Sequence, residues 1–424
     1  MIKKIRKRRG ITQFANQAAH LQDVDSLNAH FRVMVPTYLT LLLWSMISTI
    51  SVNGPVMPLY VESLGISVVE WGVLAASWAL GMFVSEWLWG SLCDRKDRRM
   101  LMILSLLGSS LVFASFTVHS LIPIFILLEF LTGVMGVAMG PVTRSYISNE
   151  SPEASMGFYM SMWWASFALG RVFGPILGAY LAQTWSFEFS FWISSLLCIA
   201  LTVFILASFP KQVSPRQVHS VNILGGVKSV LSLKSARSIL IATIFAFMAR
   251  ALLSTFLPLY ASEQIKMSTI QVGELSSAVF AAQLLALPIV GWCADRFGRR
   301  RTAGLGLLAS SCLFLLYFIA GTPSQFLFVS IAIGLGLSAT SLLLAMIPDV
   351  TPRAMHGTAI GIYGSFEDLG VGAGPLIFGF VWTIFAPVYI FGATSITLLL
   401  AAILMYTVNE KEVHYLTRSE STTK

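Results

Sequence analysis

Charge is what this sequence has least of. Only 11% of its 424 residues are Asp, Glu, Lys or Arg, where a soluble domain carries about 25%. That is too little to coat a chain of this length in water, and it excludes the ordinary soluble classes. Cysteine is scarce too. Cys93, Cys198, Cys293 and Cys312 form no CxxC pair, so neither a disulfide framework nor a zinc site is expected. The six histidines lie scattered, without metal-ligand spacing, and no metal or organic cofactor is expected. No GxxxxGK[ST] sequence occurs, which argues against ATP drive, and Gly304-x-Gly306 lies in an apolar run with no strand before it, so it is not a dinucleotide fingerprint. About twenty mostly polar residues, 11–28, follow the basic N-terminal run, where a signal peptide would place its apolar core.

What the chain does have is apolar length. Hydrophobic residues make up 56%, the mean hydropathy is +0.76, and the apolar runs reach the roughly 20 residues that a bilayer core about 30 Å thick demands of a helix. The short alternating segments of a membrane barrel are missing. The expected class is an all-α integral membrane protein of twelve spans, near 34–60, 69–90, 100–118, 122–145, 156–182, 188–209, 238–260, 269–291, 302–320, 324–347, 357–382 and 388–408. This divides the chain into a basic N-terminal segment (1–33), a six-span half (34–209), a polar linker (210–237), a second six-span half (238–408) and a tail (409–424).

The net charge of +8 matters through its placement. Lys3, Lys4, Arg6, Lys7, Arg8 and Arg9 resemble a nucleic-acid arm in isolation. Ahead of a membrane domain they read as a topology determinant, and no nucleic-acid partner is expected. With both termini in the cytoplasm, 25 of the 28 Lys and Arg residues fall on cytoplasmic segments, as the positive-inside rule requires. A multi-pass protein of the cell membrane, acting as a monomer, is expected.

The two halves repeat one another. Gly90-Ser-Leu-Cys-Asp94-Arg95-Lys-Asp97-Arg98-Arg99 returns as Gly291-Trp-Cys-Ala-Asp295-Arg296-Phe-Gly298-Arg299-Arg300, offset by 201 residues. Pro58-Leu59-Tyr60 returns as Pro258-Leu259-Tyr260, Ser151-Pro152 as Thr351-Pro352, and Gly170-x-x-x-Gly174-Pro175 as Gly370-x-x-x-Gly374-Pro375. With six spans per half, both run the same way through the membrane, a parallel repeat about an axis along the membrane normal.

These residues resemble those of the major facilitator superfamily. The loop after the second span matches the pattern G-x-x-x-D-R-x-G-R-R, with Asp97 at the usual glycine in the first copy and Gly298 in the second. Gly170, Gly174, Pro175 and Gly178 resemble the antiporter motif G-x-x-x-G-P-x-x-G-G of the twelve-helix drug:proton antiporter branch, with Ala179 for the last glycine. In the fourth span Glu129 stands where that family commonly has an arginine, so the arginine's role does not carry over. The resemblance implies a transporter rather than an enzyme, two six-helix bundles that rock to alternate access, and a proton gradient as energy source. It further implies export of small lipophilic or cationic compounds. Transport of a defined metabolite such as an organic acid or sugar is the alternative, and a non-transporting receptor a more distant one. It also implies that Gly90, Asp94, Arg95, Arg98, Gly291, Asp295, Arg296, Gly298 and Arg299 latch the cytoplasmic side, with Glu86 joined to the loop's arginines. The latch containing Asp97 is expected to depart further from the family's geometry.

Six charges inside the spans are the candidates for mechanism: Glu86, Glu129, Arg171, Arg250, Glu367 and Asp368. A central charge costs about 2.5–3.5 kcal/mol on insertion scales, so these groups must pair, face water or bind protons. Depth along the helices pairs Arg250 with Glu367 and Asp368, and brings Glu129 within two turns of Arg171. Glu129, Glu367 and Asp368 are the expected proton carriers, with Arg171 and Arg250 as their partners or as ligands for substrate. The excess of acids favours a cationic substrate. Trp78, Trp163, Trp164 and Phe247 are candidates to line a lipophilic cavity.

Overall fold

The computed structural model describes residues 34–93, 95–118, 121–150, 156–209, 223–352 and 355–408, all helices, turns and connections without a strand among them. Among the described residues, ten helices are long and apolar enough to cross a membrane. Two more complete twelve spans. One, α1, runs Met34–Ile50, breaks at residues 51–55 and resumes as Val56–Ser63. The other, α11, is His356–Ile384, whose glycines and Glu367-Asp368 pair dilute its apolar character. Between them lie α2 (Val68–Cys93), α3 (Arg98–Ser115), α4 (Ile122–Gly136, continued by Met139–Glu150), α5 (Met156–Thr184) and α6 (Phe187–Ser208). The second half holds α7 (Lys234–Thr255, continued by Leu257–Glu263), α8 (Thr269–Phe297), α9 (Arg299–Leu315) and α10 (Pro323–Leu337, continued by Ser341–Met346). After α11 comes α12 (Tyr389–Thr407). Part of the stretch read as polar linker is helical: Ile223–Ser232 packs on α7 and α11.

The duplication persists in three dimensions. Ser67 and Glu70 exchange the hydrogen bonds of a capping box at the start of α2. Ser268 and Gln271 do the same at the start of α8, satisfying amide donors that the first helical turn leaves free. The turn before each adopts a left-handed conformation, Gly65 (φ 74°) in one half and Lys266 (φ 60°) in the other. Tyr60 sits among Phe125, Phe187 and Phe191, and Tyr260 among Phe326, Trp382 and Phe391. Ser110 and Ser195 tie α3 to α6 with hydroxyls 2.9 Å apart, and Ser311 and Ser395 tie α9 to α12 at 3.0 Å.

Each fifth helix packs on its bundle's first. A Cβ on Gly174 would lie 2.6 Å from the Met46 carbonyl oxygen, and one on Gly374 would lie 2.9 Å from that of Met248. Gly170 and Gly178 press on Leu42, Met46 and Ile50 of the same α1 face. Small residues at four-residue spacing let the backbones meet this closely.

The bundles α1–α6 and α7–α12 touch mainly through α2 against α11 and α5 against α8. On the side remote from the two charged loops this interface is shut. The Trp71 indole donates to the Thr255 carbonyl at 3.0 Å, the Ile270 amide to Gln183 Oε1 at 2.8 Å, and the Ile176 amide to Ser277 Oγ at 3.1 Å. On the side of the charged loops, the basic side, a Cβ on Gly90, Gly291, Gly357 or Gly361 would meet nothing within 4 Å. The closest approaches between the bundles thus lie on the remote side, and toward the basic side the interface, here termed the cleft, holds no comparably close glycine contact among the described residues.

Candidate functional site

Five helices bring charge to that cleft. On α5, Arg171 directly follows the seam glycine Gly170, and its guanidinium lies 4.2 Å from the Phe280 ring of α8. On α7, Arg250 lies 5.0 Å from the Phe247 ring and donates from Nη1 to Thr340 Oγ1 at 3.3 Å. On α11, Glu367 feels Arg250 most strongly among charges, then Arg144, Glu86 and Arg171. Arg171 in turn faces Arg250 and Glu367. Tyr363 lies one helical turn before Glu367 on the same face, interacts with Glu367 and Arg250, and hydrogen-bonds Thr243.

The two arginines thus approach from opposite bundles and share one carboxylate. Among the described residues, neither reaches an acid within salt-bridge distance. Two like charges thus face each other across the interface between the bundles. Asp368, the next residue on α11, belongs to a different environment. Its charged neighbours are Glu86 and Glu367, and its buried Oδ2 has no hydrogen-bond partner. Glu86 reaches across from α2 to Gly364 of α11, where a Cβ would lie 3.4 Å from its Oε2.

Three expectations need correction. Glu129 does not meet Arg171. It is 2% exposed on α4, one of its oxygens lacks a partner, and no charged group acts on it. Matching depth placed the two residues at one level, but they point in different directions. Glu86 faces α11 and its acids rather than the arginines of the loop after α2. The excess of acids also disappears, because Glu129 leaves the cluster and Arg144 joins it. Three arginines (Arg144, Arg171, Arg250) then stand against three acids (Glu86, Glu367, Asp368).

Arg144, Phe280 and Tyr363 were not singled out from the sequence. Arg144 falls at the very end of the fourth span and counts there among the cytoplasmic basic residues, but α4 resumes as Met139–Glu150 and presents it 4.7 Å from the Trp163 ring. The four-residue spacing of Tyr363 and Glu367 was a usable signal. Of the aromatic candidates, Phe247 underlies Arg250 and Trp163 underlies Arg144, while Trp164 is 45% exposed.

The loop residues bind within their own bundles here. Arg99 donates to the Leu206 carbonyl at the end of α6, and Arg300 to those of Met405 and Tyr406 at the end of α12. Arg299 pairs with Asp349 at 2.8 Å and donates to the Ala345 carbonyl. Arg98 is buried near the Tyr146 ring, and Arg296 lies near Trp292 and Phe297. Arg95 and Asp295 are exposed, and Asp94 lies outside the described residues. The loops differ in backbone. Asp97 is extended and caps α3 by accepting from the Arg99 amide at 3.0 Å, whereas Gly298 has φ 90° and ψ 141°. Among the described residues no three of His, Cys, Asp and Glu converge as a metal site would need.

Residues 39–238 and 239–423 each match the family model of the Major Facilitator Superfamily. The chain belongs to the major facilitator superfamily. The double match follows the duplication, one copy per bundle. The chain is similar to multidrug resistance protein MdtG of Citrobacter koseri, 26% identical over 342 residues covering 76% of this chain and 82% of that protein. It is also similar to that of Klebsiella pneumoniae, 25% identical over 371 residues covering 81% and 88%. Its fold is that of a bacterial homologue of the human lysosomal transporter Spinster in an inward-facing, occupied conformation (TM-score 0.74, 13% identity, 90% of this chain and 96% of that one). A D-xylose-proton symporter shares it as well (TM-score 0.71, 15% identity, 90% and 98%). This superfamily member is a multi-pass membrane transporter built on the facilitator fold.

Proposed function

We propose that this protein is a proton-coupled antiporter that exports small lipophilic compounds, cations among them, by alternating access. The observation that carries the reading is the group of arginines and carboxyls between two bundles whose closest contacts lie on one side of it. A carboxyl there can be reached from one side, lose that access as the bundles rock, and be reached from the other. The basic side is the cytoplasm in this reading, with both termini there, the protein acts as a monomer in the cell membrane, and the structure corresponds to the inward-open state. The multidrug relatives support the cargo class, and the mixed charge of the cleft supports coupling.

Linkage decides the direction of coupling. A cationic cargo and a proton compete for one carboxyl, so loading one expels the other and the two move in opposite directions. An anionic cargo held by Arg171 and Arg250 would instead favour protonation of Glu367, and the two would move together. The facing arginines give this second reading, transport of an organic acid, its own support.

Purified protein in liposomes with an imposed pH gradient separates these readings. Antiport of the lipophilic cation ethidium would dissipate the gradient and concentrate the dye against it. If ethidium leaves the gradient intact while an organic acid collapses it, export by antiport is wrong.

A further inference from the structure

Glu367 and Asp368 are neighbours in sequence but not in surroundings. Successive side chains leave an α-helix about 100° apart, so α11 turns its two acids toward different walls of the cleft. Glu367 faces guanidinium groups from three helices: Arg250 of α7, Arg144 of α4 and Arg171 of α5. Among the described residues no cation acts on Asp368. The charges that act on it are Glu86 from α2 of the opposite bundle and Glu367 from its own helix, and its Oδ2 is buried without a hydrogen-bond partner. Glu86 Oε2 would lie 3.4 Å from a Cβ at Gly364, one turn before Asp368, which places it against α11 at this level.

We propose that Asp368, facing Glu86 across the bundle interface, is the carboxyl that exchanges a proton for a monocationic cargo, while Glu367 serves as the fixed counter-ion of Arg171 and Arg250. The proposal rests on the antiport reading and names the residue within it. A fixed counter-ion must keep its charge through the cycle, since losing it would leave two arginines facing each other in a site of low dielectric. An exchanging carboxyl needs the reverse: no resident cation, and a vacant acceptor for an ammonium or a proton. Asp368 meets both conditions. Glu86 approaches from the other bundle, so a cation held between them bridges the halves, and its departure frees them to move. The cargo class follows: a single positive charge on an apolar body.

The test uses full-length protein in liposomes with ethidium as probe and two readouts, transport driven by a pH gradient and ethidium-for-ethidium exchange without one. Asp368→Asn is expected to lose gradient-driven transport by about tenfold or more while exchange stays within about twofold, the signature of lost coupling rather than lost passage. Glu86→Gln is expected to raise the KM for ethidium several-fold and spare the coupled stoichiometry. Glu367→Gln is expected to lower both readouts together, because the arginines lose their counter-ion. If Asp368→Asn fails to insert, Asp368→Glu serves instead. It keeps the carboxyl and should keep coupling with a shifted pH profile, and an unshifted profile counts against the assignment. Gradient-driven transport at the parent rate in Asp368→Asn, or an uncoupled but exchanging Glu367→Gln, overturns it. A parent protein that cannot drive ethidium against the gradient overturns the antiport reading itself, a result distinct from either.

Discussion

A Cβ on Gly72 of α2 would lie 2.6 Å from the carbonyl oxygen of Pro375 on α11, in the opposite bundle. The repeat reproduces the contact. Gly273 of α8 faces Pro175 of α5, with 2.9 Å to its carbonyl oxygen. Proline inside a helix bends it and removes one backbone donor, and both bends lie where the bundles close on the side away from the charged loops. The two halves thus seal that side with one device used twice. Valine at either glycine would prise it apart, at a cost of about 1–3 kcal/mol for overpacking, or roughly 5- to 150-fold in the balance of states. Gly72→Val and Gly273→Val should therefore shift the protein toward the state open on the far side. A cysteine at Ser276, buried just inside this seal, should react faster with a membrane-impermeant thiol reagent added from that side. Unchanged labelling in both variants would mean that the seal does not depend on these contacts.

Glu129 gives a prediction of the opposite sense. It is buried on α4 with no charge nearby and one oxygen unpaired. Glutamine has the same shape and brings no charge to bury. Glu129→Gln should leave gradient-driven transport within about twofold of the parent and leave the melting temperature equal or higher. A loss of coupling in this variant, with exchange intact, would return Glu129 to the proton path.

Arg99 and Arg300 cap the last carbonyls of α6 and α12, where the helix dipole adds to the hydrogen bonds. Alanine at either should cost about 0.3–1 kcal/mol, and lysine should restore only part of it, because a single ammonium cannot reproduce the guanidinium fork. Asp349, by contrast, pairs with Arg299 where both side chains are about two-fifths exposed (43% and 41%). Asp349→Asn should fall at the weak end of the scale for surface pairs, about 0–1 kcal/mol, and weaken further with salt. Thermal melts in detergent at two salt concentrations check all three. Equal salt dependence at Arg300 and Asp349 would mean that Arg300 acts as a charge rather than as a cap.

The architecture was legible because it rests on long-range regularities. Apolar length gave the spans, basic residues fell on one set of loops, and Gly174-Pro175 and Gly374-Pro375 gave the repeat. The site was legible in part. Arg250 and Glu367 were paired by depth and do meet, and Arg171, expected beside Glu129, joins them instead. The expected meeting of Glu129 and Arg171 failed because distance along a span fixes depth but not azimuth, and α4 turns Glu129 away. Arg144 escaped because the end of a span cannot be told from the start of a loop by hydropathy once polar residues begin. The separation of Glu367 from Asp368 escaped for the same reason as Glu129: it lies in rotation about the helix, which depends on the neighbours that each face meets.

The last prediction concerns the unequal loops. Gly298 adopts φ 90° and ψ 141°, a region that a side chain occupies only with strain of about 1–3 kcal/mol. Asp97, at the corresponding place, has an ordinary extended backbone and accepts from the Arg99 amide. Exchanging the residues should therefore not be symmetrical. Asp97→Gly removes a cap, but glycine is itself tolerated there, so the loss should be a few tenths of a kcal/mol, against about 1 kcal/mol for Asp97→Ala. Gly298→Asp should cost several times more than Asp97→Gly, since the backbone must move or bear the strain. It should also disturb α9, whose first turn begins at Arg299, and so weaken the Arg299–Asp349 pair. Melting curves of the three variants decide it. Comparable losses in Gly298→Asp and Asp97→Gly would show that the loop relaxes freely, and that the family glycine is missing from the first copy for reasons other than backbone conformation.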